Sequence, residues 1–181
     1  MENKNHRTTT LAVLRSKLDA TSHLEVIHEG GYSWSAFFRF QEPATKKEID
    51  MVKVQMSVSL PLAYEQFLTY CNGARLYQDD VYGQWGFHLY GTRELLSKNV
   101  ERKKPYVEAW PASYLIFAES LGDADWLVLD TSQYTEDRKD CGVIDGDSGY
   151  IPEEWKEIAR GFSDWLERLV VAQGAKYWRW Y

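Results

Sequence analysis

The sequence predicts an α+β fold, with helices packed on one face of a mainly antiparallel sheet. Three observations lead there. Helical apolar patterns dominate the first half and the end of the chain, while short apolar runs separated by Asp/Gly turns fill the middle. No strand–helix–strand alternation occurs, which disfavours a doubly wound nucleotide-binding sheet. The composition is that of a globular chain: 181 residues, 44% hydrophobic and 27% charged. A chain this long buries roughly 70% of its unfolded surface, enough to fold without a metal or a disulfide.

The elements follow in order. Leu11, Leu14 and Leu18 recur at helical spacing, and the Thr run at 8–10 offers an N-cap, so a helix is expected over 9–21. Residues 24–28 alternate like a strand, Gly30-Gly31 forms a turn, and 32–40 is the returning strand of a hairpin closed by Pro43. Thr45-Lys-Lys-Glu48 is a capping box, and Ile49, Val52 and Met56 continue it as a second helix. Leu60-Pro61 opens a third, at a place where the missing proline N–H costs little. Tyr64, Phe67, Leu68 and Cys71 form its apolar stripe, and Asn72-Gly73 ends it with a left-handed glycine. Residues 81–90 read as an aromatic strand with a bulge or turn at Gly83 and Gly86. A short helix begins at Thr92 and breaks at Lys103-Lys104-Pro105. Strands are expected over 114–118 and 126–130, joined by the turn Asp123-Ala-Asp125. A polar loop fills 131–140, a short strand 142–145 and a turn 146–149. Ile158, Phe162, Trp165, Leu166, Leu169 and Val170 make a closing amphipathic helix stopped by Gly174. The tail AKYWRWY is aromatic and basic. The chain then divides into an N-terminal helix and hairpin extension (1–40), a core domain (41–173) and an aromatic tail (174–181).

Several function classes are disfavoured. The longest uncharged apolar stretch, 56–64, is far shorter than the roughly 20 residues that cross a bilayer. The beginning MENKNHRTTT has no apolar h-region, so no secretory signal is expected and the expected location is cytoplasmic. Cys71 and Cys141 stand 70 positions apart with no Cys/His cluster, which argues against zinc and a disulfide framework. The net charge of −6 argues against nucleic-acid binding, which needs a basic face. No GxGxxG, GxxxxGK[ST], HExxH or GxSxG motif occurs. His6, His23, His28 and His88 have no metal-site spacing, and His28 and His88 read as structural. A Cys71/His88 dyad competes with burial of Cys71 on its helix's apolar face, and burial is the better reading. No catalytic constellation of nucleophile, base and oxyanion donor can be assembled, and no cofactor is expected.

Charge is polarised along the sequence. From 119 to 157 there are 12 acidic and three basic residues, a local balance of −9 that leaves +3 for the rest. Three readings compete for Asp123-x-Asp125 and Asp145-x-Asp147. They supply turn conformations, they bind a metal, or they form an acidic patch for a basic partner. The metal reading is weak because 145–149 lacks the calcium-loop spacing. The first and third are compatible, and Glu119, Asp123, Asp125, Asp145, Asp147 and Glu153 become the candidate partner-binding residues. Trp34, Trp126, Trp155 and Trp165 read as core. Trp178 and Trp180 beside Arg179 have the composition of interface anchors, and equally of a tail that folds back or contacts a second copy of the chain.

A resemblance adds to this. LPLAYEQFLTYCNG (60–73) resembles the LPxxYxxFLxxxNG signature of the SUKH superfamily, which groups fungal cell-wall-assembly regulators with many bacterial proteins. PATKKEI (43–49), GFHLY (86–90), IFAESLGDADWLVLD (116–130), VID (143–145) and FSDWL (162–166) resemble its further segments in order. The middle of 123–125 lacks the superfamily's usual glycine, and the first 40 residues and the tail lie outside the shared core. The resemblance implies a SUKH-like α+β core and a non-enzymatic binding protein. Bacterial members resemble immunity proteins that neutralise a cognate toxin, often a nuclease, inside the producing cell. The alternative it implies is a regulatory scaffold or adaptor. An acidic surface would match the basic active site of a nuclease, and opposite charge would speed capture. The expected partner is therefore a protein, with neither nucleic acid nor membrane bound, no cofactor, and self-association left open.

Overall fold

The computed structural model describes residues 7–28, 30–104 and 110–180. Its fold is α+β. Among the described residues there are five α-helices and one eight-stranded sheet, whose strands lie in sequence order and pair antiparallel throughout. The strands are β1 (His23–Ile27), β2 (Ser33–Phe40), β3 (Ala74–Gln78), β4 (Phe87–Leu89), β5 (Tyr114–Ser120), β6 (Trp126–Asp130), β7 (Val143–Gly146) and β8 (Lys156–Ala159). The helices are α1 (Arg7–Ser16), α2 (Lys46–Met56), α3 (Leu62–Tyr70), α4 (Thr92–Lys103) and α5 (Phe162–Val171). His6 lies outside the described residues.

α1 begins and ends earlier than its leucine spacing suggests, and Thr8–Thr10 lie within it rather than capping it. Asp19 explains the early end. Its carboxylate accepts the backbone amides of Thr21 (2.8 Å) and His23 (2.9 Å), turning the chain into β1. The capping box of α2 forms in full: Glu48 N donates to Thr45 Oγ1, and Thr45 N donates to Glu48 Oε2. α3 stops at Tyr70, with extended Cys71 as its cap, so Gly73 (φ +101°) shapes the next turn instead of the helix end. Asn72 faces forward: its Oδ1 accepts Thr92 N (2.7 Å) and its Nδ2 donates to Thr92 Oγ1 (3.0 Å), capping α4.

Two strands depart from the sequence reading. β3 occupies 74–78, where no strand is expected, and the expected strand over 81–90 shrinks to Phe87–Leu89. The intervening Val81, Tyr82 and Trp85 have strand-like composition but lie exposed in a turn. β8 occupies 156–159, so Ile158 belongs to a strand, and α5 starts only at Phe162.

The core is aromatic where α3 and α5 meet the sheet. Tyr64 lies 5.0 Å from Phe162 and 5.7 Å from Phe117, and Phe117 lies 5.2 Å from Trp165, with edge-on geometries that favour ring quadrupoles. Tyr64 is fully buried and donates its hydroxyl to Tyr90 O at 2.7 Å. α4 lies beside β5, where buried Asn99 donates to Ile116 O (2.8 Å) and accepts from Ile116 N (2.9 Å). It thus supplies the backbone partner that β4 is too short to provide.

In an antiparallel meander, alternate connections gather at one end of the sheet. Here the connections 28–32, 79–86, 121–125 and 147–155 share one end. The helical connections lie at the other.

Candidate functional site

The hairpin end carries the chemistry. Pairing of β6 with β7 sets Leu127 against Asp145 and Trp126 against Gly146, so the turns holding Asp125 and Asp147 become neighbours. The turns are built by the aspartates themselves. Asp147 Oδ1 accepts Gly149 N (2.8 Å), and Asp125 Oδ1 accepts Ser148 N (2.9 Å), tying one turn to the other. Trp155 steadies the second turn by donating its indole N–H to Asp147 O (3.0 Å) and Tyr150 O (3.2 Å). Trp155 also packs against Trp110 (5.5 Å) and Trp126 (5.9 Å).

The tail folds back onto this cluster. Beyond α5, left-handed Gln173 and Gly174 redirect the chain, and Tyr177–Arg179 form a 3-10 turn across the hairpin end. Lys176 Nζ donates to Asp123 Oδ2 and to Asp125 Oδ2, the latter at 2.7 Å. Arg179 grips Asp145 with its fork, Nε to Oδ2 at 2.9 Å and Nη2 to Oδ1 at 3.0 Å. Its Nη2 also reaches Asp125 (2.9 Å) and Asp147 (3.3 Å). Trp178 anchors the turn from below, its ring 6.1 Å from Phe87.

The electrostatics follow from depth. Asp125 is buried, which by itself would raise its pKa. The Lys176 ammonium, the Ser148 amide and the Arg179 charge overcome that, and the carboxyl is held below its usual range. Burial wins at Asp145, whose pKa is raised in spite of Arg179. Burial likewise opposes the Arg179 cation, but Asp145, Asp125 and Asp147 more than offset it and raise its pKa.

Of the six candidate residues, Asp123, Asp125, Asp145 and Asp147 converge. Glu119 does not join them. It sits on β5 against His88 (3.3 Å), Tyr90 Oη (3.1 Å) and Arg102 (3.2 Å). Its pKa is drawn down to about 2, first by His88, against the pull of burial, with help from Tyr90 and Arg102. Burial disfavours a protonated His88. Glu119 and Glu94 (2.9 Å from Nε2) outweigh it, and the imidazole is held above its usual range. Glu153 is exposed in the 3-10 turn before β8.

Neither thiol is poised as a nucleophile. Burial pushes Cys71 and Cys141 up to about 12, and both ring nitrogens of His88 lie against carboxylates. Among the described residues no group of three or more His, Cys, Asp or Glu is placed to hold a metal ion, and no helix is long and apolar enough to cross a membrane.

Sequence reasoning missed the role of Lys176. It also left open whether the tail folds back. The signal was the tail's +2 charge beside a segment at −9.

The fold and the site together define a helix-backed antiparallel meander whose hairpin end gathers carboxylates, two tail cations and aromatic rings. A family model described as SMI1 / KNR4 family (SUKH-1) matches residues 43–168, and the chain belongs to that family. It is similar to the uncharacterized protein YobM of Bacillus subtilis (strain 168), 24% identical over 176 residues, covering 94% of this chain and 90% of that protein. It is also similar to the uncharacterized protein YnaB of the same strain, 24% identical over 144 residues, covering 79% of this chain and 88% of that protein.

Proposed function

We propose that this chain is a non-enzymatic binding protein of the immunity kind, which captures a cognate toxin with a basic surface through its hairpin end. The observation that carries the reading is the meeting of Asp123 and Asp125, from the β5–β6 connection, with Asp145 on β7 and Asp147 just beyond it. Four carboxylates against the two cations Lys176 and Arg179 leave the cluster a net charge of −2, with exposed Glu154 lining the same cavity as Asp145 and Asp147. Asp123 and Asp147 are the two whose side chains keep substantial exposure, 48% and 33%. Each also touches a tail cation, Lys176 or Arg179, but this exposure makes them the carboxylates that would steer an oncoming cation, while the more buried Asp125 and Asp145 are given over to holding the tail. A nuclease toxin, whose active site must be basic to hold phosphate, fits this charge.

The test is co-expression with a toxin domain encoded beside the gene. Restored growth, with a complex detected by calorimetry, is the expected result. No rescue and no binding would remove the reading. Binding to a host cell-wall-assembly protein, without rescue, would favour the regulatory scaffold instead.

A further inference from the structure

Resting on that reading, we propose that the aromatic groove beside the acidic cluster is the anchor site for a lysine or arginine side chain carried on an exposed loop of the partner. The groove comprises two adjoining cavities of about 250 and 410 Å³, which share His28, Trp34 and Trp85 as walls. Around the larger one, Tyr82 is 80% exposed, Tyr32 52% and Trp85 47%. Aromatic surface gathered this densely marks a contact site.

The rings are held in place. His28 stacks on Tyr32 at 4.5 Å and 13°, with Trp85 edge-on to His28 at 5.2 Å and 66°. The loop 79–86 that presents Val81, Tyr82 and Trp85 is organised from within. Buried Asp79 accepts the amides of Val81 (3.0 Å), Tyr82 (3.1 Å) and Gln84 (3.4 Å). Gly86 adopts φ +107°, and a Cβ there would lie 2.4 Å from the Tyr77 carbonyl oxygen, so only glycine closes this loop. A buried carboxylate and a required glycine thus hold apolar side chains out in solvent. A binding surface needs such preorganisation, and folding alone does not explain it.

Charge selects the occupant. Among the described residues Asp79 and Asp80 line the larger cavity and no Lys or Arg does, whereas Lys176 and Arg179 line the smaller one, so the larger cavity is the cation's place. Asp80 is 41% exposed and already holds a nitrogen base, His23 Nε2, at 3.0 Å. A cation is attracted by ring faces and by a carboxylate together. An anion would be repelled by exposed Asp80, and an aliphatic side chain would gain nothing from it.

The experiment is an NMR titration of the full-length 15N-labelled chain with N-acetyl-arginine amide, read at the indole N–H resonances, with the citrulline counterpart as the uncharged control. Saturable shifts at Trp85 and Trp34 are expected, with citrulline weaker by about tenfold. Tyr82→Ala and Asp80→Asn, both at exposed positions, should each weaken arginine binding by about fivefold. Equal binding of citrulline, no saturable shift at Trp85, or unchanged affinity in both variants would overturn the proposal. Shifts confined to Trp178 would place the cation at the aspartate cluster, overturning the groove and leaving the capture reading intact. Shifts at Trp85 that follow protein concentration without added amide would make a second copy the occupant and also overturn it. Arginine binding in the groove together with failure of toxin rescue would sink the function and keep the site.

Discussion

His88 and Glu119 make a pH-dependent contribution to stability whose sign can be worked out for each. Glu119 falls to about 2 in the fold from an ordinary 4.5, so its contribution is present above 4.5 and is lost as pH falls toward 2. His88 is raised above an ordinary 6.5, so its contribution is present below 6.5 and is lost as pH rises through the folded value. Both act together between 4.5 and 6.5. Denaturant unfolding across pH should therefore show that His88→Gln flattens the alkaline limb, and that Glu119→Gln flattens the acid limb. A loss unchanged in shape by either substitution would show that this pair does not set it. Arg179 is the second decisive residue. Arg179→Ala leaves Asp145, only 13% exposed, without its bidentate partner, and should cost roughly 1–3 kcal/mol, between the values for surface and buried pairs. Arg179→Lys should recover little, because an ammonium cannot reproduce the fork.

Among the elements, α5 is the one whose packing was most legible. Trp165 read as core from spacing alone and is fully buried, so Trp165→Ala should cost about 3–5 kcal/mol in denaturant unfolding. Asn99 offers a different test. Asn99→Leu strands the amide and carbonyl of Ile116 beside α4, and a loss of about 2 kcal/mol or more is expected even though the substitution is apolar and of similar size. The elements that escaped sequence reading did so for physical reasons. β8 is Lys-Glu-Ile-Ala with only Ala159 buried, so it has helix-like composition and no strand alternation. β3 was hidden by its neighbour: Val81, Tyr82 and Trp85 carry β-forming side chains, but Asp79 bends them into a turn. The capping box at 45–48 and the strand 126–130 were legible because local chemistry decides them. The convergence of Asp123 with Asp147 was not, because it depends on the β6–β7 register. Glu119 stands apart from the cluster for a related reason: the β4–β5 register sets it opposite His88, four residues before Asp123.

For the whole molecule, the net charge of −6 is less telling than its distribution. The segment at −9 does not stand bare, because the tail returns two cations to it. This separates two roles that the sequence alone merges. Asp125 and Asp145 are structural, and Asn at either should loosen the tail. Asp123 and Asp147 also touch Lys176 and Arg179 but are the more exposed members, and Asn there should lower the unfolding midpoint less than Asn at Asp125 or Asp145. The decisive measurement is the association rate of the rescuing toxin domain with the wild-type chain and with Asp123→Asn/Asp147→Asn, across ionic strength. A rate for the variant several-fold lower at low salt, with dissociation nearly unchanged and the two chains converging at high salt, is the expected result. Identical association rates at low salt would contradict capture by the hairpin end.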